Sequence, residues 1–319
     1  MGGLRCLSIE ATILTLQASL NVIDWCMQLL QFVFSPLPHL FSRRTHSKDI
    51  VIVGASFGGL AALQELKGRR DVRVTLVDFK EYFEYTPGVL RCFIEPEYLS
   101  KLTCELPRKM NTLVIGEVTG VSATAVEVRQ PDGTAFELSF DYLVLACGST
   151  YQQPIKPIVS EPTLEMRKAS WAASADRLVE ASSVIIVGAG AVGVELAGEI
   201  LTKFPQKKVT IVDMANVILP GFAAACAQYT LKWLQRHGVE LRLGEAIASI
   251  EETSITLKSG EVLSAGVVYK CVGVMPNTKM LKTSPFKSAL GFRDSVIVND
   301  QLQIAGHPHI FAGLCANLS

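Results

Sequence analysis

The stretch IVIVGASFGGLAALQEL, from Ile50 to Leu66, decides how the rest of the chain is interpreted. Four apolar residues lead into a glycine-rich turn, and an apolar-periodic run follows the turn. This order predicts a buried β-strand, a tight turn and a helix. A second stretch, VIIVGAGAVGVELAGEI from Val184 to Ile200, repeats the same order. One such stretch is typical of a nucleotide-binding site. Two of them predict that the chain binds two nucleotides and that a transfer takes place between them.

The second stretch has every residue that a dinucleotide turn needs. Gly188 permits the tight turn, Gly190 lets the backbone approach a pyrophosphate, and Gly193 lets the helix pack closely on the strand. The start of the helix then faces the phosphates. The next predicted strand, KVTIVD, ends at Asp213, and an acid at this distance accepts hydrogen bonds from ribose hydroxyls. Asp213 favours NADH over NADPH because a carboxylate repels a 2′-phosphate.

The first stretch departs from this pattern at one position. Gly54 begins the turn, but Ser56 stands where the second glycine is expected. Serine is small enough for the backbone still to approach a pyrophosphate. The strand VRVTLVD ends at Asp78, in the place that Asp213 has in the second copy. We therefore interpret the first stretch as a nucleotide site as well.

The similarity between the two copies continues beyond the acids. Each copy next has a short predicted strand, then a hairpin with a glycine turn, and finally an apolar strand that ends in glycine. In chain order these features are GEV at Gly116 to Val118, Gly133 and Gly148 in the first copy, and GEA at Gly244 to Ala246, Gly260 and Gly273 in the second. The sequence thus predicts two copies of one domain.

Composition limits the classes of function. The chain has 319 residues, of which 49% are hydrophobic, which is enough for two domain-sized cores. The chain has thirty basic and thirty acidic residues, so its net charge does not predict binding to a nucleic acid. The eight cysteines form no CxxC or CxxxxC pair and do not cluster with the histidines. We expect no metal site and no disulfide framework, and reduced thiols in the cytoplasm.

Residues 1–47 are interpreted as an amphipathic leader and linker. Between residues 9 and 34 the polar residues recur at helical spacing and form one narrow stripe on an apolar helix. A helix of this kind suits a membrane surface, such as the mitochondrial outer surface or a lipid droplet, better than a membrane span. There are two alternatives. The helix packs against the rest of its own chain, or the prediction of a leader is wrong.

Three segments resemble a known family. They are FKEYFEYTPGVLRCFIEP (Phe79 to Pro96), LACGSTYQQPIK (Leu145 to Lys156) and GAGAVGVELAGEILTKFPQKKVTIVD (Gly188 to Asp213). The sequence resembles the NAD(P)H:quinone reductases of the apoptosis-inducing factor 2, or ferroptosis suppressor, type. These lie within the superfamily of FAD/NAD(P)-binding pyridine nucleotide-disulphide oxidoreductases, with type II NADH dehydrogenases as broader kin. The resemblance covers Lys48 to about Phe311.

The resemblance implies an α/β fold of two Rossmann-like dinucleotide-binding domains with a three-layer ββα architecture. The NAD domain is inserted in the FAD domain, and the C-terminal interface domain of the family is expected to be absent. The implied boundaries are residues 1–47 for the leader and linker, 48–152 for the first part of the FAD domain, 153–272 for the NAD(P)H domain, and 273–319 for the return segment of the FAD domain.

The resemblance also implies roles for single residues. In the FAD site they are Gly54, Ser56, Gly58 and Gly59 at the pyrophosphate, Asp78 at the ribose, Arg91 at the flavin cofactor, Val118 at the adenine, and the closing Gly148. In the NAD(P)H site they are Gly188, Gly190, Gly193 and Asp213. Glu195 and Lys156 match catalytic positions close to flavin and nicotinamide. Their alternatives are an acid favoured by a helix N-terminus and a solvated loop lysine.

The implied activity is electron transfer from NAD(P)H through bound flavin to a quinone-type acceptor. Disulfide reductases of the same architecture carry CxxxxC, whereas only Cys92 and Cys104 stand in that region. The segment FAGLCA, Phe311 to Ala316, resembles the closing flavin motif without its acid, because Leu314 or Cys315 stands there. The missing acid and the end of the sequence at Ser319 leave an alternative, a truncated and non-catalytic NADH-binding remnant.

Replacing Asp213 by Ala tests the assignment of the second copy. We expect Asp213→Ala to relax the preference for NADH over NADPH, because the carboxylate that repels a 2′-phosphate is removed. The measurement is the ratio of the dissociation constants for the two nucleotides. A ratio equal to that of the unmodified chain would contradict the assignment.

Overall fold

The computed structural model describes residues 47–106, 112–313 and 316–318, the last three by their backbone alone. The chain divides into two compact units. The first contains the residues up to Phe79, then Leu106–Gly148, and then those from Pro276 onward, while the second contains Lys80–Glu105 and Ser149–Met275. The predicted leader helix, Leu314 and Cys315 lie outside the described residues. Within the described ranges, no helix is long and apolar enough to cross a bilayer.

The first unit is built on an eight-stranded sheet. Its strands are, in spatial order, Ala316–Leu318, Val296–Val298, Gln303–Ile304, His307–Ala312, Tyr142–Leu145, Lys48–Val53, Val72–Asp78 and Thr112–Ile115. The last five strands in this order run parallel. The residues from Ile50 to Val53 are all buried, as expected for a parallel strand that is covered on both faces.

Two layers cover the parallel part of this sheet. The helix Phe57–Leu66 lies over Ile52, whose side chain approaches Gly59. Val51 and Val53 pack instead against an antiparallel sheet of three strands. Those strands are Glu117–Val121, Ala125–Arg129 and Ala135–Ser139. Because neighbouring residues of a strand face opposite sides, the parallel sheet lies between the helix and the antiparallel sheet.

The second unit has the same three kinds of layer. Its parallel sheet has the order Glu240–Leu243, Lys208–Asp213, Ser183–Val187 and Val267–Lys270. Ile185 and Val187 pack against the antiparallel strands Ile247–Ile250, Ser254–Leu257 and Val262–Ser264. Val184 and Ile186 face the other way, into the core formed with the helices. The helices are Leu164–Glu180, Ala191–Lys203 and Ala224–Arg236. This is the α/β fold of the Rossmann type.

The segment Lys80–Glu105 groups with the second unit, although it follows the second strand of the first sheet. It forms the strands Tyr82–Glu84 and Thr103–Glu105 around short helices at Thr86–Phe93, Pro96–Tyr98 and Leu99–Leu102. Phe93 meets Trp171 and Tyr269 edge to face, with ring centroids 5.1 and 4.7 Å away. The sequence analysis includes this segment in residues 48–152, because motif order along a chain does not show which core a segment joins.

Short elements complete the two units. Ser149–Thr150 and Met275–Pro276 form a two-stranded pair, and 3₁₀ turns lie at Lys279–Leu281, Lys287–Ala289 and Phe292–Asp294.

The hairpin turns and the closing strands of both copies are confirmed. The first short strand is confirmed at Glu117 and Val118 but not at Gly116, and the second is wrong. The third parallel strand is Thr112–Ile115, and Gly116 separates it from Glu117–Val121. In the second copy Gly244 to Ala246 lies between strands, not in one. Gly244 has φ +77°, a conformation that glycine adopts readily and that ends a strand. The two GE pairs therefore mark the connection from the parallel to the antiparallel sheet.

Two glycines of the helix Ala191–Lys203 give a matched test of the packing. A Cβ at Gly193 would lie 1.9 Å from the carbonyl oxygen of Gly188, while a Cβ at Gly198 would meet no atom within 4 Å. We expect Gly193→Ala to lower the free energy of unfolding by about 1–3 kcal/mol. Gly198→Ala should raise it by roughly 0.5–1 kcal/mol, since alanine favours the helix. Equal effects in thermal unfolding would show that the close approach is not a constraint.

Candidate functional site

The first glycine turn, residues 54–59, brings backbone segments into direct contact. Gly54 has φ +104°, and a Cβ there would lie 2.2 Å from the carbonyl oxygen of Ala146 at the end of the neighbouring strand. A Cβ at Gly59 would lie 1.7 Å from the carbonyl oxygen of Gly54. Only glycine fits at these two positions, so the strand, the turn and the helix lie as close together as backbones permit.

Asp78 ties this turn to the second strand. Its Oδ2 accepts a hydrogen bond of 2.6 Å from the backbone amide of Ala55, and both residues are buried. Ser56 has an extended backbone, and its side chain does not cap the helix that follows. The first amides of a helix have no acceptor within the helix, so this uncapped start can donate to an anion.

The second glycine turn, residues 188–193, is built in the same way. Gly188 has φ +117°, and a Cβ there would lie 2.7 Å from the carbonyl oxygen of Cys271. A Cβ at Gly190 would meet no atom within 4 Å, so this point of the turn is open to a ligand. Gly190 also begins the helix Ala191–Lys203 without a side-chain cap. The second turn therefore offers an open backbone and a helix start to a pyrophosphate.

Asp213 makes the bond that Asp78 makes in the first copy. Its Oδ2 accepts from the amide of Ala189 at 2.7 Å, and its Oδ1 accepts from the amide of Ala215 at 2.7 Å. A carboxylate oxygen can accept a second hydrogen bond, so these contacts leave acceptor capacity for ribose hydroxyls. The sequence predicts that both acids bind ribose, but its motifs do not show that each acid holds its glycine turn in place.

Glu195 lies on the helix that follows the second turn. Glu195 is exposed as a residue, yet partial desolvation of its carboxyl group, together with the nearby Glu199 carboxylate, raises the pKa of Glu195 to about 7. Within the described residues, Glu195 makes no hydrogen bond or ion pair. A carboxyl group with a pKa near 7 can both accept and release a proton at neutral pH.

Arg91 joins this acidic cluster. Its Nη1 donates to Glu199 at 3.0 Å, and its Nη2 and Nε donate to Glu95 at 2.9 and 3.2 Å. The hydrogen bonds to Glu95 hold the pKa of Arg91 above its ordinary value, and Glu199 adds to this effect. The structure thus brings Arg91 to Glu199, one helical turn beyond Glu195. Since 108 residues separate Arg91 from Glu199, sequence spacing does not reveal this contact.

Lys156 is held by its own loop. Its Nζ donates to the carbonyl oxygen of Ser149 at 2.8 Å and to the Ser149 hydroxyl at 2.7 Å. The side chain is partly buried. Ser149 follows the closing glycine of the first copy, and the sequence analysis does not single it out. The cation is thus fixed close to the point where the chain passes from the first unit to the second.

The remaining predicted contacts of the first copy lie in the first unit. Val118 pairs with Val128 beside an irregularity in the antiparallel sheet. Gly148 has φ +66°, and its carbonyl oxygen accepts from the amide of Asn277 at 3.0 Å. The Asn277 side chain donates to the carbonyl oxygen of Cys147 at 2.9 Å. Asn277 is a further residue that sequence reasoning misses, because it meets the closing turn only in the folded chain.

The return of the chain to the first sheet is consistent with the predicted return segment. The strand His307–Ala312 pairs in parallel with Tyr142–Leu145, and the amide of Gly313 donates to the carbonyl oxygen of Leu145 at 3.0 Å. A family model for pyridine nucleotide-disulphide oxidoreductases matches residues 48–314, which include both glycine turns and this strand. The chain belongs to this family.

Relatives place the chain more closely within this oxidoreductase family. It is 30% identical to human ferroptosis suppressor protein 1 over 283 residues, which cover 84% of this chain and 74% of that protein. It is 29% identical to the mouse protein over 286 residues, covering 86% and 75%. Apoptosis-inducing factor homolog B of Dictyostelium discoideum is 26% identical over 295 residues, covering 84% and 74%. The resemblance to this group is confirmed.

Solved structures of similar fold support the architecture. The water-forming NADH oxidase from Lactobacillus brevis, bound to NADH, matches with a TM-score of 0.67 and 22% identity, covering 85% of this chain and 63% of that one. NDH2 from Plasmodium falciparum, in complex with NADH, matches with a TM-score of 0.68 and 20% identity, covering 85% and 65%. The chain spans less than two thirds of either structure. At these identities the likeness shows the α/β fold alone.

The oxidoreductase family takes part of its name from disulphide chemistry, but the sequence has no CxxC or CxxxxC pair. Cys92 and Cys271 are buried, and burial raises the pKa of each thiol to about 12. A thiol with such a pKa is not a nucleophile at neutral pH. Among the described residues, no group of cysteine, histidine and acidic side chains could hold a metal ion. These observations favour chemistry without a protein thiol.

The raised pKa of Glu195 predicts a pH dependence of stability. The folded pKa of about 7 exceeds the ordinary value of 4.5, so the folded state binds more protons between these values. The unmodified chain should therefore lose stability relative to Glu195→Gln as the pH rises from about 4.5 to 7. This loss of stability relative to Glu195→Gln should be absent below the window, and it should stay constant above the window. Melting temperatures of both proteins from pH 4 to 8.5 measure this.

Glu199→Gln is the control for the cause of the shift. It removes the charge that adds to the raised pKa of Glu195, so the pH window should become narrower. Melting temperatures of Glu195→Gln and the unmodified chain that differ equally at all pH values would contradict the raised pKa.

Proposed function

We propose that this chain is an FAD-dependent oxidoreductase that passes electrons from NAD(P)H through bound flavin to a quinone-type acceptor. The observation that carries the proposal is the pair of glycine turns, each with an acid bonded to its second residue, in a member of an oxidoreductase family. Because the two turns are built in the same way, we infer that each of them binds a dinucleotide. The alternative, in which one turn binds a ligand and the other is only structural, would not explain this likeness.

The first turn fits the pyrophosphate of FAD. Glycine is required at Gly54 and Gly59 by the close backbone approach, and the helix starts uncapped behind Ser56. The residues that would hold FAD are Gly54, Ser56, Gly58 and Gly59 at the pyrophosphate, Asp78 at the ribose, the backbone of Val118 at the adenine, and Gly148 and Arg91 nearer the flavin.

The second turn fits NAD(P)H. Gly188 and Gly193 are required by close contacts, and Gly190 is open. Asp213 would receive the adenosine ribose and would favour NADH, with NADPH as the less favoured donor. The acid is held at both oxygens, so its position is set before the nucleotide arrives.

The flavin supplies the redox chemistry when it is bound, and the chain supplies binding, orientation and charge. Glu195 would hold a proton near neutral pH and exchange it during turnover. Lys156 would place a fixed positive charge beside the site, because Ser149 holds its Nζ. Arg91 would add a second cation and limit the charge of Glu199.

A quinone is the proposed acceptor because the sequence lacks the CxxxxC pair of the disulfide reductases. A small oxidised ring that takes electrons and protons needs no protein thiol. The leader helix predicted at residues 9–34 would bring the site to a membrane surface, where hydrophobic quinones dissolve. This part of the proposal rests on the sequence, since the leader lies outside the described residues.

The visible absorption spectrum of the purified chain tests the proposal directly. We expect a bound flavin band that bleaches when NADH is added without oxygen, and a return of the band when a soluble quinone is added. A colourless chain that still binds NADH would overturn the proposal and favour the non-catalytic remnant. A flavin band that NADH does not bleach would contradict the assignment of the second turn.

The same assay tests the catalytic role of Glu195. Glu195→Ala should slow quinone reduction by about 10²-fold, the usual scale of a lost general acid or base. The flavin band and the far-ultraviolet circular dichroism should remain as in the unmodified chain. Glu165→Ala, at another exposed acid of the second unit, is the matched control and should turn over normally. Unmodified turnover in Glu195→Ala would remove Glu195 from the mechanism.

A further inference from the structure

Arg167 is a fully buried cation in the second unit. It lies in the first turns of the helix Leu164–Glu180, and none of its side chain is exposed. Its Nε and Nη2 donate to the two carboxylate oxygens of Glu84 at 2.7 and 3.0 Å. Nη1 donates to Glu161 at 3.3 Å, and Nη2 also donates to the carbonyl oxygen of Pro154 at 2.6 Å. We name this set of bonds the Arg167 clamp.

Fold stability alone is a weak explanation for the clamp. Removing an ion pair from water is unfavourable, and well-packed apolar side chains in the same volume are often at least as stable. Glu84 has 1% of its side chain exposed and Glu161 has 8%, so all three charges are withdrawn from solvent. What such a network adds is a defined geometry, because each donor and acceptor has a direction.

The clamp joins three separate segments of the chain. Glu84 ends the strand that leads into the short helix Thr86–Phe93, on which Arg91 lies. Pro154 and Glu161 lie on either side of Lys156 in one loop. The proposed site residues Arg91 and Lys156 are therefore both carried by segments that Arg167 holds.

Further bonds close the loop around Lys156. The side chain of Gln153 donates to Oε1 of Glu161 at 2.9 Å, and the Tyr82 hydroxyl meets the carbonyl oxygen of Glu161 at 3.4 Å. The ends of the loop are thus tied to each other and to the strand Tyr82–Glu84. Lys156 therefore lies in a loop whose flanking residues Pro154 and Glu161 are both bonded to Arg167.

We propose that Arg167 is a positioning residue that sets the loop of Lys156 and the segment of Arg91 in their working geometry. This inference rests on the proposed function, because it assigns Lys156 and Arg91 to the redox site. Arginine is needed for its shape: the planar fork binds both oxygens of Glu84 and still reaches Glu161 and Pro154. Lysine has the same charge but no fork.

The test compares Arg167→Lys with the unmodified chain, using two readouts. Amide hydrogen exchange at Ile155 and Glu161, whose amides bond within the loop, should become at least about tenfold faster. The amide of Ala189 in the second glycine turn should exchange as before. Anaerobic flavin reduction by NADH should slow by at least about tenfold, while the dissociation constant for NADH changes less than about twofold. Lys168→Met, at the exposed neighbouring cation, should alter neither readout.

Either readout can overturn the inference. Unchanged exchange at Ile155 and Glu161 would show that Arg167 does not hold the loop. Faster exchange with an unchanged reduction rate would show a structural bond without a positioning role. If the unmodified chain shows no flavin reduction, the proposed function fails, and the exchange data alone then decide whether the clamp exists. If Arg167→Lys does not fold, Glu161→Gln weakens only the loop's side of the clamp, and the same outcomes apply.

Discussion

The bond between an aspartate and the amide of the second turn residue is the constraint on which both units depend. In each copy it links the end of the second parallel strand to the glycine turn after the first, at 2.6 Å from Ala55 to Asp78 and 2.7 Å from Ala189 to Asp213. The bond holds the acid where a ribose would lie and fixes the turn that would receive a pyrophosphate. One carboxylate therefore organises both halves of the proposed nucleotide cradle, and glycine at the turn lets the strands approach closely enough to form it.

The charged side chains of the second unit differ in how far water reaches them. Glu195 is exposed and has a pKa near 7, whereas Glu199, one turn further along, forms an ion pair with Arg91. In the same unit, Arg167 is withdrawn from water, and its hydrogen bonds have a defined geometry. The same residue types thus serve different purposes because water reaches them to different extents.

Much of the site was predictable because it depends on local backbone chemistry. The glycines, the acids at the strand ends and the hairpin turns act over a few residues, so their spacing in the sequence predicts the local structure that they form. Contacts of Arg91 with Glu199, of Asn277 with the closing turn, and of Arg167 with Glu84 were not predictable. They join residues between 83 and 130 positions apart, and no pattern in one sequence shows which distant polar side chains meet.

The sequence by itself determined that the chain is an α/β protein with two similar glycine turns, because the period of apolar residues and the placement of glycine follow from backbone geometry. It also determined the family, through motifs that are local. Only the tertiary structure decided that Lys80–Glu105 joins the core of the second unit, and that Lys156 is held by Ser149. Those outcomes depend on which buried surfaces and which buried charges find partners, and this is settled by packing over the whole unit.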